Sequence, residues 1–116
     1  MLASERSFSF YITTNASRNV LYCGMTNDLQ QRIVEHYLDR EIQKTFAGKY
    51  YCYWLIYYED YEYVDDAIAR EKEVKKWSRL KKEKLITVFN MDWKFLNHEL
   101  FDLWPPKEFF HRKDLN

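Results

Sequence analysis

The sequence predicts one α+β domain: a β-hairpin, a third strand and several amphipathic helices around a shared core. Three observations point there. Apolar and polar residues alternate with a period of two over residues 8–14, and a second short strand pattern follows a run of turn residues. Residues 50–59 are dense in aromatics and isoleucine, as in a strand covered on both faces. Two longer stretches, beginning near residues 28 and 65, carry apolar residues at helical spacing. The chain has 116 residues, 47% apolar and 19% aromatic, which suits a single domain and excludes disorder.

Met1 to Ser7 reads as a frayed lead-in. In Phe8 to Thr14, Phe8, Phe10 and Ile12 point one way and Ser9, Tyr11 and Thr13 the other. Asn15 to Arg18 supplies turn residues, and Asn19 to Gly24 reads as the second strand. With a four-residue turn Thr14 faces Asn19 and Tyr11 faces Tyr22. That register sorts Phe8, Phe10, Ile12, Leu21, Cys23 and Met25 onto one apolar face and both tyrosines onto the other. A helix follows, with Asn27 as N-cap, Gln30 in capping-box position and Asp28 at the positive helix end. Leu29, Arg32, Ile33, His36, Tyr37 and Arg40 form its broad face, while Gln30, Gln31 and Glu35 face away. Glu41 to Lys49 is a polar connection containing Gly48, and Tyr50 to Glu59 is the third strand. Asp65 caps a second helix running to about Trp77. Ser78 breaks it, and a basic amphipathic helix covers about 79–88. The aromatic tail from Asn90, ending in Pro105-Pro106 and a mobile terminus, packs back as a short helix or turn. The whole chain, 1–116, reads as one domain with its core at about 8–97.

Composition limits the function classes. Formal net charge is zero, so any attraction to phosphate must come from a local patch rather than a global field. Cys23 and Cys52 lie far apart without CxxC spacing, and read as reduced thiols rather than a zinc site. Nothing resembles a signal peptide, and no apolar run approaches the roughly 18 residues of a membrane span. A soluble cytoplasmic protein with no membrane partner is expected.

The informative residues are polar ones on faces that a plain core would fill otherwise. Ala67, Glu71, Val74 and Ser78 share one stripe of the second helix. A carboxylate there costs a few kcal/mol in desolvation unless a cation accompanies it. A neighbouring Lys or Arg would serve, and so would a hard divalent ion, which commonly takes only one or two protein carboxylates. Arg32 and His36, at i and i+4, stack beside the apolar stripe of the first helix. Arginine offers a fixed fork of donors for phosphate, and histidine ordinarily titrates near neutrality. Tyr11 and Tyr22 aim at the same small volume, and Gly24 would let a backbone or phosphate approach closely. Arg70, Lys72, Lys75, Lys76, Arg79, Lys81, Lys82 and Lys84 form a basic run, offset by Glu71, Glu73 and Glu83. It is either a solvated face or a phosphate contact.

These residues resemble a known family. Phe10-Tyr11-Ile12 and, ten residues on, Tyr22-Cys23-Gly24 look like the paired motifs of the GIY-YIG nucleases. Met25 to Leu29 with Arg32 and His36 is similar to the family's strand-to-helix segment. Lys49-Tyr50, Tyr57-Tyr58-Glu59, Ala67 to Lys72, Trp77-Ser78-Arg79 and Asn90 before Trp93 resemble its small stand-alone bacterial branch. The resemblance spans about residues 8–97. The first motif lacks its glycine, and Cys23 replaces the usual aliphatic residue. Met25 stands where relatives such as the UvrC nuclease domain carry lysine. Both tyrosines and Gly24 remain.

The resemblance implies a three-stranded antiparallel sheet flanked by helices, and hydrolysis of phosphodiester bonds with one divalent ion, Mg²⁺ or Mn²⁺. It implies that Glu71 holds the metal and Tyr11 activates water as a general base. Tyr22 and His36 assist proton movement, Arg32 stabilises charge on phosphate, and Asn90 matches a late polar residue. Nucleic acid, DNA rather than RNA, would then lie on Lys49, Lys75, Lys76, Arg79 and Lys82; a protein partner is left open. The alternatives are a non-catalytic nucleic-acid-binding module of the same fold, and a protein-interaction domain that docks through its aromatic tail.

Overall fold

A computed structural model of the protein describes residues 7–42 and 45–106. The lead-in expected at residues 1–6 and the terminal residues 107–116 lie outside the described residues. Three antiparallel strands form one sheet in the order β2-β1-β3: β1 Phe8–Thr14, β2 Leu21–Thr26 and β3 Trp54–Tyr61. Helices flank it, which is the expected α+β architecture. The hydrophobic middle strand β1 is paired on both sides. Ser9 and every residue from Phe10 to Thr14 are buried.

The hairpin register differs from the expected one by two residues. Thr14 pairs with Leu21, Ile12 with Cys23 and Tyr11 with Gly24, so β2 runs later than predicted. The reason lies in the loop. The Asn15 side chain accepts hydrogen bonds from the backbone N–H groups of Asn19 and Val20, and Thr14 Oγ1 donates to the Val20 carbonyl. Residues 19 and 20 are thus taken up by the turn. A shift of two conserves faces, because side chains alternate with period two. The expected sorting therefore stands, although the expected partners do not.

One face packs Phe10, Ile12, Cys23, Ile56 and Tyr57 against Val74 and Ile86. These last two belong to α3 (Val64–Lys75) and α4 (Arg79–Phe89). The other face packs Tyr11 and Leu55 against Ile33 and Val34 of α1 (Leu29–Leu38), with Leu96 and Trp104 of the tail. Asp28, not Asn27, caps α1, its carboxylate accepting from Gln31 N–H, because Thr26 Oγ1 holds the Asp28 N–H one step earlier. Asp65 lies in the first turn of α3 instead of capping it, where its charge still complements the helix dipole. Ser78 leaves the α3 stripe and caps α4 through the Lys81 N–H.

The polar connection contains a 3-10 turn at Asp39–Glu41 and a short helix α2, Phe46–Lys49. Tyr50 and Tyr51 close α2, with Tyr51 at φ 59°, so β3 begins at Trp54 rather than Tyr50. The tail returns as expected. Leu96 N–H donates to the Leu55 carbonyl, the Asn97 side chain bonds the backbone of Tyr53 and Leu55, and a last turn of helix, α5, spans Asn97–Leu100. Among the described residues no helix is long and apolar enough to cross a membrane.

Candidate active site

Tyr11 sits at the middle of the central strand with its side chain toward α1 and no exposed surface. Its direct neighbour across the hairpin is Gly24. A Cβ at that position would fall 2.5 Å from the Tyr11 hydroxyl oxygen, so the phenol occupies the room that glycine leaves. The close approach foreseen at Gly24 is thus made by Tyr11. Tyr22, two residues earlier on β2, lies diagonally across with ring centroids 6.3 Å apart.

Helical periodicity brings Arg32 and His36 over these rings. His36 is buried, and its Nε2 lies 2.7 Å from Tyr11 Oη. Its ring meets Tyr22 edge-on at 5.3 Å. Arg32 lies close enough to the same phenol to act on it electrostatically, and its Nη1 pairs with Glu35 at 2.9 Å. Glu35 was expected to face away. One helical turn instead places it beside Arg32, half-buried and opposite in charge.

The electrostatics follow from burial. Burial raises the Tyr11 phenol well above its ordinary range; Tyr22 and Glu71 add to this, while Arg32 opposes it. Burial, with Arg32 beside it, lowers His36 to about 3. The expectation of a histidine titrating near neutrality is corrected: the imidazole stays neutral because its cationic form would be desolvated next to a guanidinium. Burial works against the Arg32 charge, yet hydrogen bonds to Glu35 and Tyr11 leave its affinity for the proton above the usual value.

Glu71 approaches from the other side of the sheet. Its helix, α3, seats Ala67 and Val74 without exposed surface against the Phe10 face. The Glu71 side chain is 23% exposed and pairs with Lys75 at 3.1 Å, a bond open to water because Lys75 is 51% exposed. The Glu71 charge acts on both Tyr11 and Cys23, which lie on opposite faces. The helix that carries Glu71 packs against both β1 and β2, and β2 is the edge strand of the sheet. A cleft of about 430 Å³ follows the same edge, lined by Met25, Thr26, Asp28, Arg32, Glu35 and Val64. It too draws residues from both sides of the sheet.

No group of three or more His, Cys, Asp or Glu among the described residues could hold a metal by itself. One half-buried carboxylate, open to solvent, is instead a donor set for a hard ion that keeps its waters and takes further oxygens from a phosphate. Glu71 fits that requirement.

The other expected residues divide. Lys49, Lys75 and Lys76 are exposed, while Lys82 is half-buried with its charge near Cys23. Arg79 does not present a free fork for phosphate. It pairs with Glu83 and donates to the Arg18 and Asn19 carbonyls, pinning the hairpin loop to α4. Asn90 is buried, donates to the Ile56 and Lys94 carbonyls and accepts from Lys94 N–H. Its amide joins the end of α4 to β3 and to the tail, apart from the phenols. One residue escaped the sequence reading: Phe46, whose ring stacks on Tyr22 and lies against Tyr50. A lone phenylalanine in a polar connection was the available signal.

Comparison with known proteins follows the same residues. The family model described as GIY-YIG catalytic domain matches residues 7–84, a span that contains Tyr11, Tyr22, Arg32, His36 and Glu71 and ends before Asn90. A UPF0213 protein of Pediococcus acidilactici is 39% identical over 82 residues, covering 71% of this chain and 81% of the relative. A UPF0213 protein of Limosilactobacillus reuteri is 30% identical over 91 residues, covering 78% of this chain and 93% of the relative. A third, from Vibrio parahaemolyticus, is 33% identical over 82 residues, covering 71% and 74%. No solved structure matches the chain.

Proposed function

This chain belongs to the GIY-YIG catalytic-domain family, a family of nuclease domains, and from that premise we propose that it is a divalent-metal-dependent endonuclease hydrolysing phosphodiester bonds in DNA. The supporting observation is the convergence of Tyr11, Tyr22 and His36 on one face of β1 and β2, with Arg32 on the same helix as His36 and close enough to act on the phenol.

Hydrolysis needs in-line approach of water and neutralisation of charge on the non-bridging phosphate oxygens. Arg32 is always cationic and 40% exposed, so one side of its fork remains open to those oxygens. Glu71 would hold the divalent ion, which when bound supplies further positive charge at the phosphate. Tyr11 is assigned the general-base role: as phenolate, its own proton having first left for solvent, it would take the proton of the attacking water. Its burial favours the neutral phenol at rest, and Arg32 is the group within the chain that pulls toward phenolate. His36 holds the phenol oxygen without competing for charge. With hydrogen on Nε2 it would donate to that oxygen once the phenol is ionised, with the Arg32 charge nearby. Tyr22 is assigned proton transfer outward. Lys49, Lys75, Lys76 and Lys82 are assigned phosphate contacts along the strand, and the cellular setting proposed is cytoplasmic DNA repair or recombination.

The test is cleavage of branched, single-stranded and duplex DNA with Mg²⁺, with Mn²⁺ and with chelator. Products that vanish on chelation are expected; DNA that is shifted but left whole would make the protein a binding module instead. Glu71→Gln and Arg32→Ala should each lower cleavage at least about 100-fold with the melting temperature unchanged. Full activity in either variant removes that residue from the site.

A further inference from the structure

We infer that Phe46 and Tyr50 form a stacking subsite for one base of the nucleic-acid substrate, a base turned out of its stack beside the phosphate handled by Tyr11 and Arg32. The inference rests on the nuclease reading and adds a substrate feature to it.

Residues 41–49 are mostly polar, yet Phe46 stands among them 50% exposed, followed by Tyr50 at 40%. Rings left half in water keep one face exposed that a core position would bury. Their placement is nonetheless controlled. Thr45 caps α2 by accepting from Gly48 N–H at 3.0 Å. Gly48 lets the helix press onto the preceding turn, where a Cβ would meet the Asp39 carbonyl oxygen at 2.6 Å. Ala47 and Gly48 consequently face inward, and Phe46, Lys49 and Tyr50 face out.

The rings continue the active site. His36 meets Tyr22 edge-on, and Tyr22 and Phe46 lie nearly parallel, 26° between planes and 5.9 Å between centroids. Phe46 and Tyr50 follow at 4.7 Å, and Lys49 Nζ lies 5.5 Å from the Tyr50 centroid. The series starts at His36, which holds the Tyr11 phenol, and ends at an exposed cation, Lys49. Half-exposed rings followed by an exposed cation match a nucleic-acid strand, in which each base sits beside a phosphate. An intact duplex hides base faces within its stack, so a ring face here can be met only by an unpaired or extruded base.

The experiment uses the whole chain in chelator, where binding is read without cleavage. Single-stranded oligonucleotides carry 2-aminopurine at successive positions. Wild type should quench the probe strongly at one position, and should bind these strands more tightly than a blunt duplex of equal length. Phe46→Leu and Tyr50→Leu keep apolar bulk but lose the ring face. Each should weaken single-strand binding about tenfold and abolish the local quench. Phe46→Trp should retain both, and melting temperatures should show all variants folded. If the leucine variants bind and quench as wild type does, the subsite is overturned, whether or not wild type cleaves. If wild type with Mg²⁺ or Mn²⁺ leaves every DNA intact while the quench and its loss occur as expected, the subsite stands and the nuclease reading fails.

Discussion

A methyl group at Gly24 has nowhere to go except into the Tyr11 hydroxyl. Gly24→Ala should therefore tilt the phenol away from His36 and Arg32, lowering stability by about 1–3 kcal/mol and reducing cleavage. Thermal melting together with turnover would show both, and unaltered turnover would mean that the phenol does not act from its present place. The pH profile follows from the same few atoms. Tyr11 is raised by burial and must lose its proton to act, so its active form grows as pH rises. His36 is lowered to about 3 and stays neutral throughout the working range. The rate should climb about tenfold per pH unit below the phenol's effective pKa, with no inflection at the ordinary histidine value near 6.5. An inflection there that disappears in His36→Asn would contradict the neutral, positioning role. At this scale the sequence was informative. Tyr11, Tyr22, Arg32, His36 and Glu71 stood out as polar groups at faces bordering the core, and the structure gathers the first four directly. The neutrality of His36 was not legible, because burial is a property of neighbours rather than of spacing. Glu35 and Phe46 were missed because one salt bridge and one ring contact depend on how two elements meet.

Elements were legible to the extent that their signals are local. The period-two pattern of β1 located that strand, and the basic run after Ser78 located α4. The hairpin register was not legible, since the Asn15 side chain claims two N–H groups that the alternation pattern does not distinguish from strand. Start points suffered for a similar reason: Asp28 rather than Asn27 caps α1, and the C-terminal closure of α2 delays β3. Two predictions belong here. Ser78→Ala should cost about 1 kcal/mol through loss of the α4 cap, measurable by denaturant midpoint. Arg79→Ala should free the Arg18 and Asn19 carbonyls from α4. Amide exchange over residues 15–20 should then quicken while exchange in β1 stays slow. Unchanged exchange in the loop would make Arg79 dispensable to the turn and return it to the pool of phosphate contacts.

The molecule as a whole is neutral, so binding to nucleic acid depends on how its charges are distributed. Lys49, Lys75 and Lys76 are exposed, whereas Arg79 is occupied by protein partners. With the four lysines assigned to phosphate, log affinity for single strands should fall against log salt with a slope of about −3. A flat dependence would remove the lysine contacts. Residue order alone determined the α+β class, the three strands, the helices α1, α3 and α4, and the set of polar groups suited to phosphate chemistry. These rest on periodicity and side-chain chemistry, which are local. Only the tertiary structure decided that Tyr11 lies over Gly24, that Glu71 sits on the helix against the opposite face and pairs with Lys75, and that Asn90 and Arg79 are spent on holding the fold. Those outcomes depend on register, burial and competition for hydrogen bonds between segments far apart in the chain. No single stretch of sequence carries that information.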